Sequence, residues 1–261
     1  MAEYGPLLQR ARERLLRLHF DAHAGHLGGN FSSIDILMML HHGVMREEDR
    51  FILSKGHSAG ALYVTLWSQG KLSDEDLATF TRDDSLLPAH PSGSGIPGLL
   101  FSTGSLGHGP SLSAGLALAD RNQGKGNRTY CLCSDGEWQE GSCWEALIFA
   151  VHQRLDNLFI LIDQNGLQGF GTTQDVISCG DLTERLASFG AEMRKADGHD
   201  PLSILEALKP STKGGKPIIV IFETVKGRGL HFEGCLESHY LPLTEEEYRV
   251  AGAKLMGEEA L

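Results

Sequence analysis

Ser134-Asp135-Gly136-Glu137-Trp138-Gln139-Glu140-Gly141, followed by Leu161-Ile162-Asp163-Gln164-Asn165-Gly166-Leu167-Gln168, decides the fold of this chain. Each stretch closes an apolar run, Thr129 to Cys133 in the first case and Leu158 to Ile162 in the second, with a polar, glycine-containing turn. Between them Trp144, Leu147, Ile148, Val151 and Leu155 recur at helical spacing. The unit reads as strand, helix, strand, with an oxygen ligand at the end of each strand. A lone Asp-Gly is most often a surface turn. Asp-Gly after one apolar strand and Asp-x-Asn after the next is a much rarer combination.

Working outward, apolar runs alternate with helical segments. Residues 6–22 form an amphipathic helix with Leu7, Ala11, Leu15 and Leu18 on one face. His23 to Asn30 is too glycine-rich to continue it, so the next helix starts at a Ser32 or Ser33 cap. Strands are expected at 50–54, 191–196 and 217–225, and further helices at 59–68, 73–80, 111–120, 182–189, 202–208 and after Thr244. Residues 82–110 keep no period and are rich in Gly, Pro and Ser; a loop of that length is usually functional. Continuous apolar strands separated by helices imply a doubly wound, mainly parallel α/β sheet covered on both faces. Ligands in such sheets bind at the carboxyl ends of the strands, where both opening turns lie. With no repeat and no linker, residues 1–261 read as one domain.

The bulk composition narrows the function. A formal charge of −11 argues against a nucleic-acid or anionic-membrane surface. It leaves room for a phosphorylated ligand held by backbone N–H groups and a cation. No apolar run approaches the ~20 residues of a membrane span. Arg10, Arg12, Arg14 and Arg17 could be mistaken for a transit peptide, but Glu3, Glu13 and Asp21 weaken that reading, and the protein reads as cytoplasmic. Five cysteines lack Cys-x-x-Cys spacing and read as reduced packing residues.

Asp135 offers a carboxylate oxygen, Asn165 an amide oxygen and Leu167 a backbone carbonyl. That set suits Mg²⁺, or Ca²⁺ or Mn²⁺, with phosphate oxygens and water completing the shell. Gly136 lets the backbone approach a diphosphate.

These residues resemble the thiamine diphosphate motif, a Gly-Asp-Gly followed within thirty residues by Asn. The chain is similar, almost from end to end, to the N-terminal half of a transketolase. The motifs occur in the family's order: Gly25-His26-Leu27-Gly28-Gly29, Ser54-Lys55-Gly56-His57, Ala89-His90-Pro91, Thr103-Gly104-Ser105-Leu106-Gly107, the thiamine motif with Glu140-Gly141 and Glu145-Ala146, Asp197-Gly198-His199-Asp200, and Lys226-Gly227-Arg228-Gly229 with His239 beyond. The resemblance implies that Asp135, Asn165 and the Leu167 carbonyl bind the metal. His57, Gly136 and His239 would contact the diphosphate, and Gly104, Ser105 and Leu106 the aminopyrimidine. His26, His90 and His239 would line the substrate channel as proton-transfer groups. Glu140 would join the carboxylate and water network that links paired cofactor sites. Imidazoles suit proton traffic near neutral pH, although for any one of the 12 histidines packing is the commoner role. His19, His41, His42 and His152 have no motif around them.

Ser134 stands where the family has the first glycine, Gln164 where Asn or Asp is common, Ser105 for a frequent proline, Tyr240 for a glycine and His108 for a frequent Gln. The larger departure is length. Full transketolases continue into pyrimidine-binding and C-terminal domains, the former carrying the glutamate that activates the cofactor, and residues 1–261 are expected to hold the diphosphate-binding domain alone. The resemblance therefore implies the N-terminal subunit of a split transketolase, paired with a C-terminal subunit in an α2β2 heterotetramer and acting on sugar phosphates. A 1-deoxyxylulose-phosphate synthase-like or 2-oxo-acid decarboxylating enzyme is the alternative within the cofactor class. A regulatory or scaffold subunit is the alternative outside it.

Overall fold

The computed structural model describes residues 4–93 and 95–257. Its centre is a five-stranded, wholly parallel sheet in the order β1-β2-β3-β7-β6, formed by Arg50–Leu53 (β1), Thr129–Ser134 (β2), Leu158–Gln164 (β3), Glu192–Asp197 (β6) and Ile218–Glu223 (β7). Leu167–Gln168 (β4) and Gly171–Thr172 (β5) form a small antiparallel ribbon after β3. The longer helices are Gly5–Asp21 (α1), Leu27–Gly43 (α2), Ala59–Ser68 (α3), Gly109–Asn122 (α5), Gly141–His152 (α6) and Glu245–Met256 (α10). Asp74–Leu77 (α4), Thr173–Val176 (α7), Leu182–Ser188 (α8) and Pro201–Ala207 (α9) are short.

The apolar strands are continuous because both faces of the sheet are covered. Tyr130, Leu132, Phe159, Leu161, Val220 and Phe222 point into one layer, shared with Leu15 of α1, Ile34 and Leu37 of α2 and Leu62 of α3. Their neighbours Cys131, Cys133, Ile160, Ile162, Ile219 and Ile221 point into the other, against Ala114 and Ala117 of α5, Leu147 and Ala150 of α6 and Leu186 of α8. Cys131 and Cys133 share the second face with sulfurs 3.7 Å apart, and no disulfide joins them. Residues 82–108 carry no helix or strand among those described.

The structure corrects two local expectations. The second helix begins at Leu27, not after Ser32 or Ser33. His26, in a left-handed conformation with φ 62°, marks the break, and Gly28 and Gly29 are helical. Close packing explains the glycine at position 28, where a Cβ would lie 2.2 Å from the Ser238 hydroxyl. Ser32 and Ser33 are consequently inside the helix and face the sheet end, where both hydroxyls donate to Asp163. The second correction concerns α6. Its buried face is Leu147 with the small residues Cys143, Ala146 and Ala150, which let it lie close to the sheet, and Ile148 of the expected stripe is exposed.

Candidate active site

β2 and β3 pair in register from Thr129↔Leu158 to Ser134↔Asp163, so the turns that follow them emerge side by side. Asp135 is only 7% exposed. Its Oδ1 accepts the Gly136 N–H at 2.8 Å and its Oδ2 the Gly166 N–H at 2.7 Å. Burial, reinforced by the charge of Asp163, pushes the Asp135 carboxyl up to about 6 against the pull of those two N–H groups. Asn165 Oδ1 accepts the Leu167 N–H at 3.1 Å, and the Leu167 carbonyl accepts Lys226 Nζ at 3.3 Å. Each of these oxygens retains accepting capacity.

A hard cation fits this donor set. It contains one carboxylate, one amide and one carbonyl, and among the described residues no group of three or more His, Cys, Asp or Glu side chains is arranged to hold a metal. A cation here therefore needs oxygens from its ligand, as Mg²⁺ bound with a phosphate does. Gly136 keeps that approach open, and beside it the buried Gln168 Oε1 has no partner.

Beneath the turn lies an ion pair that the sequence did not reveal. Lys55 Nζ and the Asp163 carboxylate, both fully buried, bond directly to each other. Asp163 also accepts from Ser32, Ser33 and Thr224, and Lys55 donates to Ser33 Oγ at 2.8 Å and the Gly29 carbonyl at 3.2 Å. Burial alone would raise the Asp163 carboxyl, but Lys55 and the hydroxyls hold it below the usual carboxylate range. The available signals were the Lys beside His57 and the Asp two residues before Asn165.

Four histidines from four segments meet above this floor. The His26 ring centroid is 4.8 Å from His239, 5.5 Å from His57 and 5.9 Å from His90, and His57 is 5.8 Å from His239. The backbone joins two of them, since the His26 N–H donates to the His239 carbonyl at 3.0 Å. All four titrate below the ordinary histidine value. Burial is the main cause throughout, with Lys55 adding to it at His57, Lys226 at His239 and His90 at His26. His239 falls to about 3. The rings are therefore neutral at pH 7, each with one nitrogen to donate and one to accept. Lys226, whose Nζ is 3.0 Å from His239 Nδ1, is itself pushed down to about 8 by burial and by Lys55. It is a further cavity residue to which sequence reasoning gave no role.

One cavity of about 330 Å³ brings together His26, His57, His90, Gly104, Leu106, Asp135, Gly136, Glu140, Asn165, Leu167, Lys226 and His239. Ser105 is the exception: it is exposed and outside the lining, and its carbonyl faces the His108 ring at 3.2 Å. Gly104 needs to be glycine, with φ at 134° and a Cβ that would lie 2.8 Å from the His90 ring. Phe170, 87% exposed, and Tyr240 stand at the mouth, where the Tyr240 hydroxyl donates to the Gly169 carbonyl at 2.8 Å. The Asp197–Asp200 motif is not in the cavity. Its His199 ties Asp35 of α2, itself clamped by Arg12 of α1, to the backbone N–H of Val225. A larger cavity of about 680 Å³ around Met45, Arg50 and Asn127 lies at the amino ends of β1 and β2, away from all these groups.

Residues 20–259 match the family described as the transketolase thiamine diphosphate binding domain. The chain is 36% identical over 258 residues to an apulose-4-phosphate transketolase subunit of Actinobacillus succinogenes, a match covering 95% of this chain and 94% of that protein. It is 37% identical over 247 residues to the 6-deoxy-6-sulfo-D-fructose transketolase subunit SqwG of Clostridium sp., covering 90% of each. Among solved structures, transketolase from Leishmania mexicana superposes with a TM-score of 0.93 at 27% identity, over 99% of this chain and 42% of that one. This chain thus spans less than half of that solved transketolase, and nearly all of the relatives that are themselves named as transketolase subunits.

Proposed function

Because the chain belongs to the transketolase thiamine diphosphate-binding domain family, we propose that it is the N-terminal subunit of a split, cytoplasmic transketolase. It would transfer a two-carbon ketol unit from a ketose to an aldose together with a C-terminal subunit that carries the pyrimidine domain, in an α2β2 assembly. The observation that carries this reading is the convergence of six of the sequence motifs on one cavity at the carboxyl ends of the strands. The split is supported by the near-complete overlap with relatives that are named as single subunits of a transketolase.

In this reading Asp135, Asn165 and the Leu167 carbonyl hold Mg²⁺. His57, Gly136 and His239 face the diphosphate, and Lys226 adds the positive charge nearest to them. Gly104, Leu106 and the backbone of Ser105 lie against the aminopyrimidine. Thiamine diphosphate, when bound, supplies the electron sink for the carbanion chemistry of ketol transfer. The protein's own part is orientation and proton movement. Neutral His26, His90 and His239 take a proton from a sugar hydroxyl at one ring nitrogen or return one to it, and their burial keeps both options open at pH 7. Glu140, at the cavity edge and at the start of α6, joins the carboxylate network toward a second site. The names of the relatives include a sugar phosphate and a sulfonated sugar. The substrate class here is accordingly a ketose with an anionic tail.

The test is a two-carbon transfer assay with a ketose phosphate donor, Mg²⁺ and thiamine diphosphate, run on this chain with and without its C-terminal partner. Transfer only with both chains supports the proposal. Activity from this chain alone contradicts the split enzyme, and turnover of pyruvate but not of a ketose contradicts the transferase.

A further inference from the structure

Glu137 has no part in the site described above, yet it is fully buried directly behind it. We propose that Glu137 is a positioning residue for the cofactor, one carboxylate that fixes the Gly104–Gly107 loop to the Ser134–Asp135 turn. The inference rests on the thiamine diphosphate reading.

Its Oε1 accepts the Gly107 N–H at 3.0 Å and the Ser54 hydroxyl, and its Oε2 accepts the Ser134 N–H at 2.9 Å. The three donors belong to three different segments. Ser54 directly follows β1, three residues before His57, Gly107 closes the loop assigned to the aminopyrimidine, and Ser134 immediately precedes Asp135. Glu137 itself does not line the cavity, so these bonds hold the wall and touch nothing within it.

The chemistry calls for a carboxylate. All three neighbours donate, two of them backbone N–H groups that cannot reverse their role, and an ionised carboxylate only accepts. A glutamine of the same shape must turn its NH₂ toward one of the backbone N–H groups, leaving that donor buried and unpaired. Gly107 is also gripped from its other side, because the Ser142 hydroxyl donates to its carbonyl at 2.9 Å. A Cβ there would lie 2.7 Å from both Glu140 Cβ and Ser142 Oγ. The loop therefore has one seat, and Glu137 couples that seat to the metal turn. Asp135 keeps its own two N–H bonds without Glu137, so the diphosphate end is anchored independently.

That independence sets the test. The assembled enzyme is titrated calorimetrically, in Mg²⁺, with thiamine diphosphate and separately with inorganic pyrophosphate, as wild type, Glu137→Gln and Ser54→Ala. For Glu137→Gln the expected result is a loss of about tenfold or more in affinity for thiamine diphosphate, with pyrophosphate affinity changed less than about threefold. Ser54→Ala, which removes one of the three bonds, gives a smaller loss with the same selectivity, and it carries the test if the glutamine variant does not fold. Equal losses for both ligands, or none, overturn the role of Glu137. A wild type that does not bind thiamine diphosphate overturns the functional reading beneath it.

Discussion

Asp135 Oδ2 accepts the N–H of Gly166 at 2.7 Å, joining the turn after β2 to the turn after β3 across 31 residues of chain. The bond aims a carboxylate that burial has already made reluctant to ionise, and a divalent cation would repay that cost. The rest of the site is arranged about this contact, with the Lys55–Asp163 pair below it and the four histidines above.

The buried Lys55–Asp163 pair should be costly to break from one side. Lys55→Met leaves the Asp163 carboxylate without its cation, and urea unfolding should show a loss of about 3–5 kcal/mol. Adding Asp163→Leu should recover part of it. A single variant as stable as wild type would show that the hydroxyls of Ser32, Ser33 and Thr224 suffice.

Gly28→Ala should damage activity more than stability. The added methyl would fall 2.2 Å from Ser238 Oγ and 2.9 Å from Lys226 Cγ, and it would displace the turn that carries His239. Overpacking of this kind costs about 1–3 kcal/mol. Melting and turnover measured together check the ratio: parallel, small changes in both would mean that the turn relaxes without moving His239.

Substituting the histidines should separate chemistry from binding. His26→Ala and His90→Ala are expected to lower kcat by about 10²- to 10⁴-fold, the range for a lost proton-transfer group, with cofactor affinity little changed. His57→Ala should chiefly weaken thiamine diphosphate. Steady-state kinetics at saturating and limiting cofactor distinguish the two patterns.

Stability should decline as the pH falls below about 6.5. Burial holds His19 at about 4 and His41 at about 3, so both are neutral in the folded chain, whereas the unfolded chain protonates them near 6.5. Between those values the unfolded state binds more protons, so stability present above pH 6.5 is lost on acidification, by at most about 1.4 kcal/mol per pH unit for each group. Asp135, raised from 3.8 to about 6, opposes this over the same interval. His41→Gln removes one titrating group from a position whose Nε2 has no partner. Urea unfolding from pH 7.5 to 5 should show a shallower slope for the variant, and an unchanged slope would place the titration elsewhere.

The sheet was legible because its strands are unbroken apolar runs, and the meeting of the two turns because Asp135 and Asn165 each directly follow a strand. Less was visible where tertiary packing overrides local preference. Gly28 and Gly29 discourage a helix in isolation, yet both are helical here, and the Ser238 turn presses so closely on Gly28 that only glycine fits. The exposed edge of α6 at Ile148 was likewise hidden, since helical periodicity gives a stripe but not the face that small residues bring nearest the sheet. Lys55, Asp163, Glu137 and Lys226 were quoted within motifs without roles. Their partners lie tens of residues away, and only the fold shows that a lysine and an aspartate 108 positions apart share one buried bond.

In the proposed function Asp135 anchors a divalent cation through which this domain holds thiamine diphosphate. Calorimetric titration of the assembled enzyme with thiamine diphosphate, with and without Mg²⁺, in wild type and Asp135→Asn, tests it directly. Binding should depend on Mg²⁺ in the wild type and weaken about 10²-fold or more in the variant, since even outer-shell changes at metal sites cost about 10- to 100-fold. Binding of equal strength without Mg²⁺, or unaffected by Asp135→Asn, would contradict it.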